Sequence, residues 1–128
     1  MKLFLILAAF YFTPLLHARI GESYEEFEKR VGKAGSANRA PGNVTYQHLL
    51  KKGTVTVMVT EGKITGEAYK YISPDDAEGI IKEQTELAFK ETKRDDKKIM
   101  WVGKNGETAM YSFQAKSLFI LDKPPQKD

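Results

Sequence analysis

The side chains able to do chemistry in this sequence are few. Cysteine is absent, and the two histidines are His17, at the end of an apolar run, and His48. With one His downstream of that run and no Cys, a single chain cannot build a Cys/His zinc site. A thiol nucleophile is likewise excluded. A serine nucleophile would need His48 as its base, yet no G-x-S-x-G elbow occurs. Gly32-Lys33, Gly62-Lys63 and Gly103-Lys104 each lack the preceding glycine that a phosphate-binding loop requires. The 17 Asp and Glu residues keep carboxylate chemistry formally open. A hydrolase of that kind needs two acids roughly 5 to 10 Å apart in a cleft. Most acids here fall at helix starts and turns, where capping and solvation occupy them. No catalytic residue, metal site or cofactor is therefore expected, and the chain reads as a non-enzyme, with a carboxylate-based hydrolase as the last of three functional readings.

The first eighteen residues give an address. Met1-Lys2 is a short positive start, residues 3–16 (LFLILAAFYFTPLL) are apolar apart from Thr13 and Pro14, and His17-Ala18 precede Arg19. That order is that of a secretory signal peptide cut after Ala18. The apolar core is shorter than the about 20 residues of a membrane span, so no integral span is expected after cleavage. The expected organisation is a signal peptide at 1–18, one domain at 19–122 with halves 19–72 and 73–122, and a loose tail at 123–128. The expected location is periplasmic or secreted. An exported domain without disulfides must be held by its core alone. The whole chain has a formal net charge of +3, of which Lys2 leaves with the leader. So even a balance predicts no nucleic-acid partner and no anionic membrane surface.

The elements that must position any site can be read from caps and periodicity. In RIGESYEEFEKRVGKAG (19–35), Ser23 and Glu26 form a capping box. Tyr24, Phe27 and Val31 share one helical face, and Gly32 stops the helix. Residues 33–43, rich in Gly, Ala, Asn and Pro, read as a loop. Residues 44–51, 54–60 and 64–72 read as strands joined by tight turns at Lys52-Gly53 and Glu61-Gly62. Two-residue turns put Val55, Val57 and Val59 inward with His48, Gly66 and Ala68, and leave Glu67 outward. An inward lone His is read as a hydrogen-bonded packing residue. Ser73-Pro74-Asp75-Asp76 opens a second helix, expected to run through Ala77, Ile80, Ile81, Leu87 and Ala88. Residues 90–98 read as a solvated helix end and link. Three further strands, 98–104, 107–113 and 117–122, complete the chain, with Asn105-Gly106 as a hairpin turn. The expected fold is α+β: two helices packed on antiparallel sheet in α-β3-α-β3 order. Recurrence of Lys-x-Gly turns in both halves is consistent with an internal duplication.

Gly21, Ser23, Phe27, Val31, Gly32 and Ala34 resemble the opening helix motif of outer-membrane assembly lipoproteins of the SmpA/OmlA (BamE) type. They are similar also to the opening of small secreted bacterial proteins. Ala34 stands where that motif has Pro, and the lipidated Cys is missing. The resemblance implies helices on one face of an antiparallel sheet and, for function, a cell-envelope scaffold or assembly helper.

One feature of the second half points to a surface. A two-residue turn at Asn105-Gly106 puts Met100, Val102, Ala109, Tyr111, Phe113, Leu118 and Ile120 on one face. Ile99, Trp101, Met110, Phe119 and Leu121 then fill the other. Antiparallel sheets in small domains usually wet one face, so a second apolar face needs a cover. The cover is either the chain itself, through its first helix or half, or a partner: another protein, a second copy or an apolar ligand. For a partner, Ile99, Trp101, Met110, Phe119 and Leu121 are the candidate binding residues. The preferred function is a non-catalytic binding or protein-interaction module. On this reading Trp101→Asp abolishes binding and leaves the fold intact.

Overall fold

A computed structural model describes residues 18–51 and 53–122. The leader-like residues 1–17, Lys52 of the first turn and the expected tail 123–128 lie outside the described residues. Ala18, expected as the last residue of the leader, is fully buried in the core.

The first helix forms where its caps place it. Helix α1 (Tyr24–Val31) starts at Ser23, whose Oγ accepts from the Glu26 amide at 3.1 Å. It ends at Gly32, whose φ of 92° few other residues tolerate. The chain then makes strands β1 (Ser36–Ala40), β2 (Asn43–Leu49), β3 (Thr54–Thr60) and β4 (Lys63–Lys70). Helix α2 (Pro74–Glu83) starts at Ser73, which accepts from the Asp76 amide at 3.1 Å. A 3-10 turn (Thr85–Leu87) leads into β5 (Lys90–Arg94), β6 (Lys98–Val102), β7 (Thr108–Ser112) and β8 (Ser117–Leu121).

These strands form one eight-stranded antiparallel sheet in the order β1-β2-β3-β4-β8-β7-β6-β5. The expected α-β3-α-β3 order is thereby overturned. Each helix precedes four strands rather than three, and all eight join in a single sheet. The two unexpected strands are β1, in the supposed loop, and β5, in the supposed helix end. Both are sheet edges, and every residue in both is exposed. An edge strand wet on both faces shows no alternation of apolar and polar residues, so periodicity cannot reveal it. Lysines on β5 also discourage pairing with another chain. The second helix is shorter than expected: it stops at Glu83, and the 3-10 turn Thr85–Leu87 with Ala88 in the left-handed region redirects the chain into β5.

One face of the sheet is covered. Val55, Val57, Ile64, Tyr69, Leu118, Ile120, Tyr111 and Ile99 point into a core that also holds Phe27, Ala77 and Ile81 of the helices. The Tyr111 hydroxyl donates to the Ile72 carbonyl at 2.7 Å, tying β7 to the β4–α2 connection. No described helix or strand lies over the opposite face. No helix among the described residues is long and apolar enough to cross a membrane.

Candidate functional site

Two regions stand out, a buried polar centre on the covered face and the open face behind it. The first depends on a β-bulge. Val59 pairs with Ile64, but Met58 pairs with Gly66, so Thr65 is an extra residue in β4. Its hydroxyl lies 3.1 Å from that of Thr60. An extra residue switches every later side chain of the strand to the opposite face. Glu67 and Tyr69 therefore point under the helices, opposite Val57 and Val55, while Gly66 and Ala68 point to the open face. This corrects the sequence expectation for Gly66, Glu67 and Ala68.

Glu67 is 3% exposed. The Tyr69 hydroxyl donates to its Oε1 at 2.6 Å, and the Gln84 amide donates at 3.3 Å. Tyr69 in turn accepts from the Ala18 amide at 2.8 Å. Burial pushes the Glu67 carboxyl up to about 8, against the lowering effect of the Tyr69 and Gln84 hydrogen bonds; Glu22 adds a raising contribution. Burial also pushes the Tyr69 phenol well above its usual range. The carboxyl is thus a proton-holding structural group at neutral pH. Glu22 is bound by the Arg30 guanidinium at the rim. Among the described residues no group of three His, Cys, Asp or Glu could hold a metal ion.

His48 sits inward on β2, 2% exposed, as its place in the strand predicts. Its Nε2 shares a hydrogen bond of 2.8 Å with the Tyr24 hydroxyl, and Phe27 meets its ring edge-on with centroids 5.1 Å apart. Desolvation lowers the imidazole pKa, partly opposed by Glu28. A neutral ring packed under α1 fits a structural role. Tyr24 also stacks on Tyr46 at 3.9 Å.

A cleft of about 450 Å³ opens between α2 and the β5–β6 edge, with Gln84, Phe89 and Trp101 among its lining residues. Its two acids are already engaged. Arg94 reaches Glu78 at 3.4 Å and Glu91 at 2.8 Å. Trp101, at 5% exposed, packs in the core beneath this cleft. Its emission maximum is therefore expected to be blue and independent of protein concentration. Trp101→Asp should cost roughly 3 to 5 kcal/mol, the range for emptying a large core site, with a buried charge added. Equilibrium urea unfolding measures it. The expectation that Trp101→Asp spares the fold is overturned by this burial.

The five candidate binding residues do not share a face. Ile99 and Trp101 lie on the covered side; Met110, Phe119 and Leu121 lie on the open side. The cause is the β6–β7 turn. Gly103 N donates to the Glu107 carbonyl at 2.7 Å, so three residues, Lys104-Asn105-Gly106, form the loop rather than two. Gly106 takes the positive φ, 94°, that such a loop requires. Val102 then pairs with Thr108 instead of Ala109. A one-residue slip moves every side chain of β6 to the other face. Met100 and Val102 thus join Met110, Phe119 and Leu121, and Met58 of β3 completes the set. The turn length was the signal sequence reasoning missed.

The open face is built of cross-strand rows. Met100, Met110, Phe119 and Ala68 are successive partners across β6, β7, β8 and β4. Val102, Thr108, Leu121, Gly66 and Met58 form the next row, which extends to β3. Leu121 is 41% and Val102 40% exposed. Gly66 leaves Met58 and Leu121 space to approach: a Cβ there would lie 3.2 Å from the Met58 methyl carbon.

No protein-family model matches the chain, and no curated protein matches it. A crystal structure of a cysteine-rich secretory protein from Staphylococcus aureus subsp. aureus Mu50 is similar to it, with a TM-score of 0.50 and 14% sequence identity. The likeness covers 81% of this chain and 44% of that one, so the chain spans less than half of that protein's length. At this identity the likeness speaks for the fold alone.

Proposed function

We propose that this chain is a non-catalytic interaction module that works through the open face of its sheet. One observation carries the reading. Two rows containing Met100, Met110 and Phe119, and Val102, Leu121 and Met58, lie on a face that no described helix or strand covers. A contiguous apolar face left uncovered on a small protein is a candidate contact site. The buried polar centre supports the same division of labour. Glu67, Tyr69 and Gln84 bond to one another beneath the helices and stiffen the layer behind the surface. The leader-like start favours an exported setting for the encounter.

Native size fractionation of cells that produce the protein tests this. The wild-type chain is expected in a species larger than its monomer, and Met110→Asp, folded by circular dichroism, as a monomer. A wild-type chain that is monomeric in every fraction contradicts the reading.

A further inference from the structure

Resting on that reading, we infer that the open face receives a protein whose matching surface is apolar at its centre and acidic at its margin. The strand-borne charges on this face are Lys63, Lys70, Lys90, Lys93 and Lys98, by register with Thr60, Thr54, Val102, Met100 and Ser112. No Asp or Glu on any described strand points to this side. The two strand acids, Glu67 and Glu91, pair with Val57 and Trp101 on the covered side. The acids of α1 (Glu25, Glu26, Glu28) and of α2 (Asp75, Asp76, Glu78, Glu83) lie in the helical layer. The even overall charge therefore hides a partial segregation: the strand-borne charges of the open side are all lysine, while the helical layer carries most of the acid together with Lys29, Arg30 and Lys82. Turn acids border the lysine side: Asp95 and Asp96 lie in the β5–β6 turn, with Asp95 held by the Lys97 and Lys98 amides, and Glu61 lies in the β3–β4 turn. None of the five lysines forms a salt bridge among the described residues.

Lys90 and Lys93 sit on an edge strand, where lysine also guards against strand pairing. Lys63, Lys70 and Lys98 have no such duty, because β4 and β6 are interior strands. They flank the methionine rows, and a shallow depression of about 350 Å³ lies beside Lys97, Lys98, Met110 and Ser112, with Asp96 also on its rim. An apolar centre rich in methionine with a charged margin is the anatomy of a protein interface. A margin in which lysine predominates favours the opposite sign in the partner and disfavours basic surfaces. A nucleic acid fits less well, because Phe119 is the one aromatic residue in the central rows and single strands need several for stacking. A bilayer fits less well too, because a sheet face with half-buried methionines offers no amphipathic helix or other deeply inserting apolar anchor. The helical layer of a second copy is acidic, but its apolar stripe is already spent on its own core.

The three methionines other than Met1 all lie on this face, so methyl-labelled Met58, Met100 and Met110 report on it directly. The full chain is titrated by NMR with a peptide alternating Glu and Leu, then with its Ser/Leu and Lys/Leu counterparts. Phosphatidylglycerol vesicles and a single-stranded oligonucleotide are the remaining probes. The Glu/Leu peptide is expected to shift all three methyls. Binding should be roughly tenfold weaker for the Ser/Leu peptide and for the triple variant Lys63→Glu, Lys70→Glu, Lys98→Glu, as lost charge complementarity dictates. Equal response to Ser/Leu and Glu/Leu would overturn the acidic partner and leave the surface reading standing. Tighter response to vesicles or to the oligonucleotide, or shifts that track the protein's own concentration, would overturn it in favour of those occupants. Silence toward every probe would overturn both.

Discussion

Raising the pH from about 4.5 to about 8 should destabilise this protein by on the order of 4 kcal/mol through Glu67 alone, and Glu67→Gln should remove that loss. The sign comes from proton counts. Unfolded, the carboxyl titrates near 4.5; folded, burial holds it protonated up to about 8. Between those values the folded state binds the extra proton, so stability falls as pH rises. Below the lower value the effect is absent, and above the upper one it is constant. The groups facing Glu67 are Tyr69 and Gln84, with Glu22 contributing repulsion. Buried His48 acts in the opposite sense. Its folded pKa is lowered, so its contribution is present above about 6.5 and lost as pH falls. The difference between wild type and Glu67→Gln isolates the carboxyl. Urea unfolding at pH 5, 7 and 9 measures it, and a difference that does not change with pH would contradict the buried, bulge-directed Glu67.

The second large effect concerns α1. Eight residues cannot hold a helix in water without tertiary support. Phe27 supplies that support: it is fully buried, edge-on to His48, with the Arg30 guanidinium 5.8 Å from its ring centre. Phe27→Ala should cost roughly 3 to 5 kcal/mol, whereas Glu25→Ala, on the exposed side, should stay within about 0.5 kcal/mol. A Phe27→Ala cost below about 1 kcal/mol would mean that the helix does not anchor the covered face.

Much of the architecture was legible in the residues. Ser23 and Ser73 announced both helix starts, and alternation in TVTVMVT revealed β3 with its inward valines. An α+β fold with an antiparallel sheet is the consequence of these features. What escaped has a common physical root, which is that register depends on single residues. Thr65 bulges out of the β3–β4 ladder, and nothing in KITGEAYK distinguishes the bulged register from the regular one. Glu67, the buried acid, was therefore placed in solvent. Gly106 closes a three-residue loop where Asn-Gly more often marks a two-residue one, and that moved Trp101 from surface to core. Strands β1 and β5 gave no signal because neither of their faces is buried. Of the five residues assigned to one face from the sequence, Met110, Phe119 and Leu121 share the open face and Ile99 and Trp101 do not. The lysine margin of the open face was invisible to net charge, since summing over the chain cancels what the sheet separates.

The most direct test of the central claim is photo-crosslinking in the producing cell, with the probe placed in turn at Met100, Met110 and Phe119, and at exposed Glu25, Asp75 and Lys82 of the helical layer. The account predicts one recurrent adduct mass from the three sheet positions and none from the helical ones. Adducts from the helical positions alone, with the sheet positions silent, would contradict it.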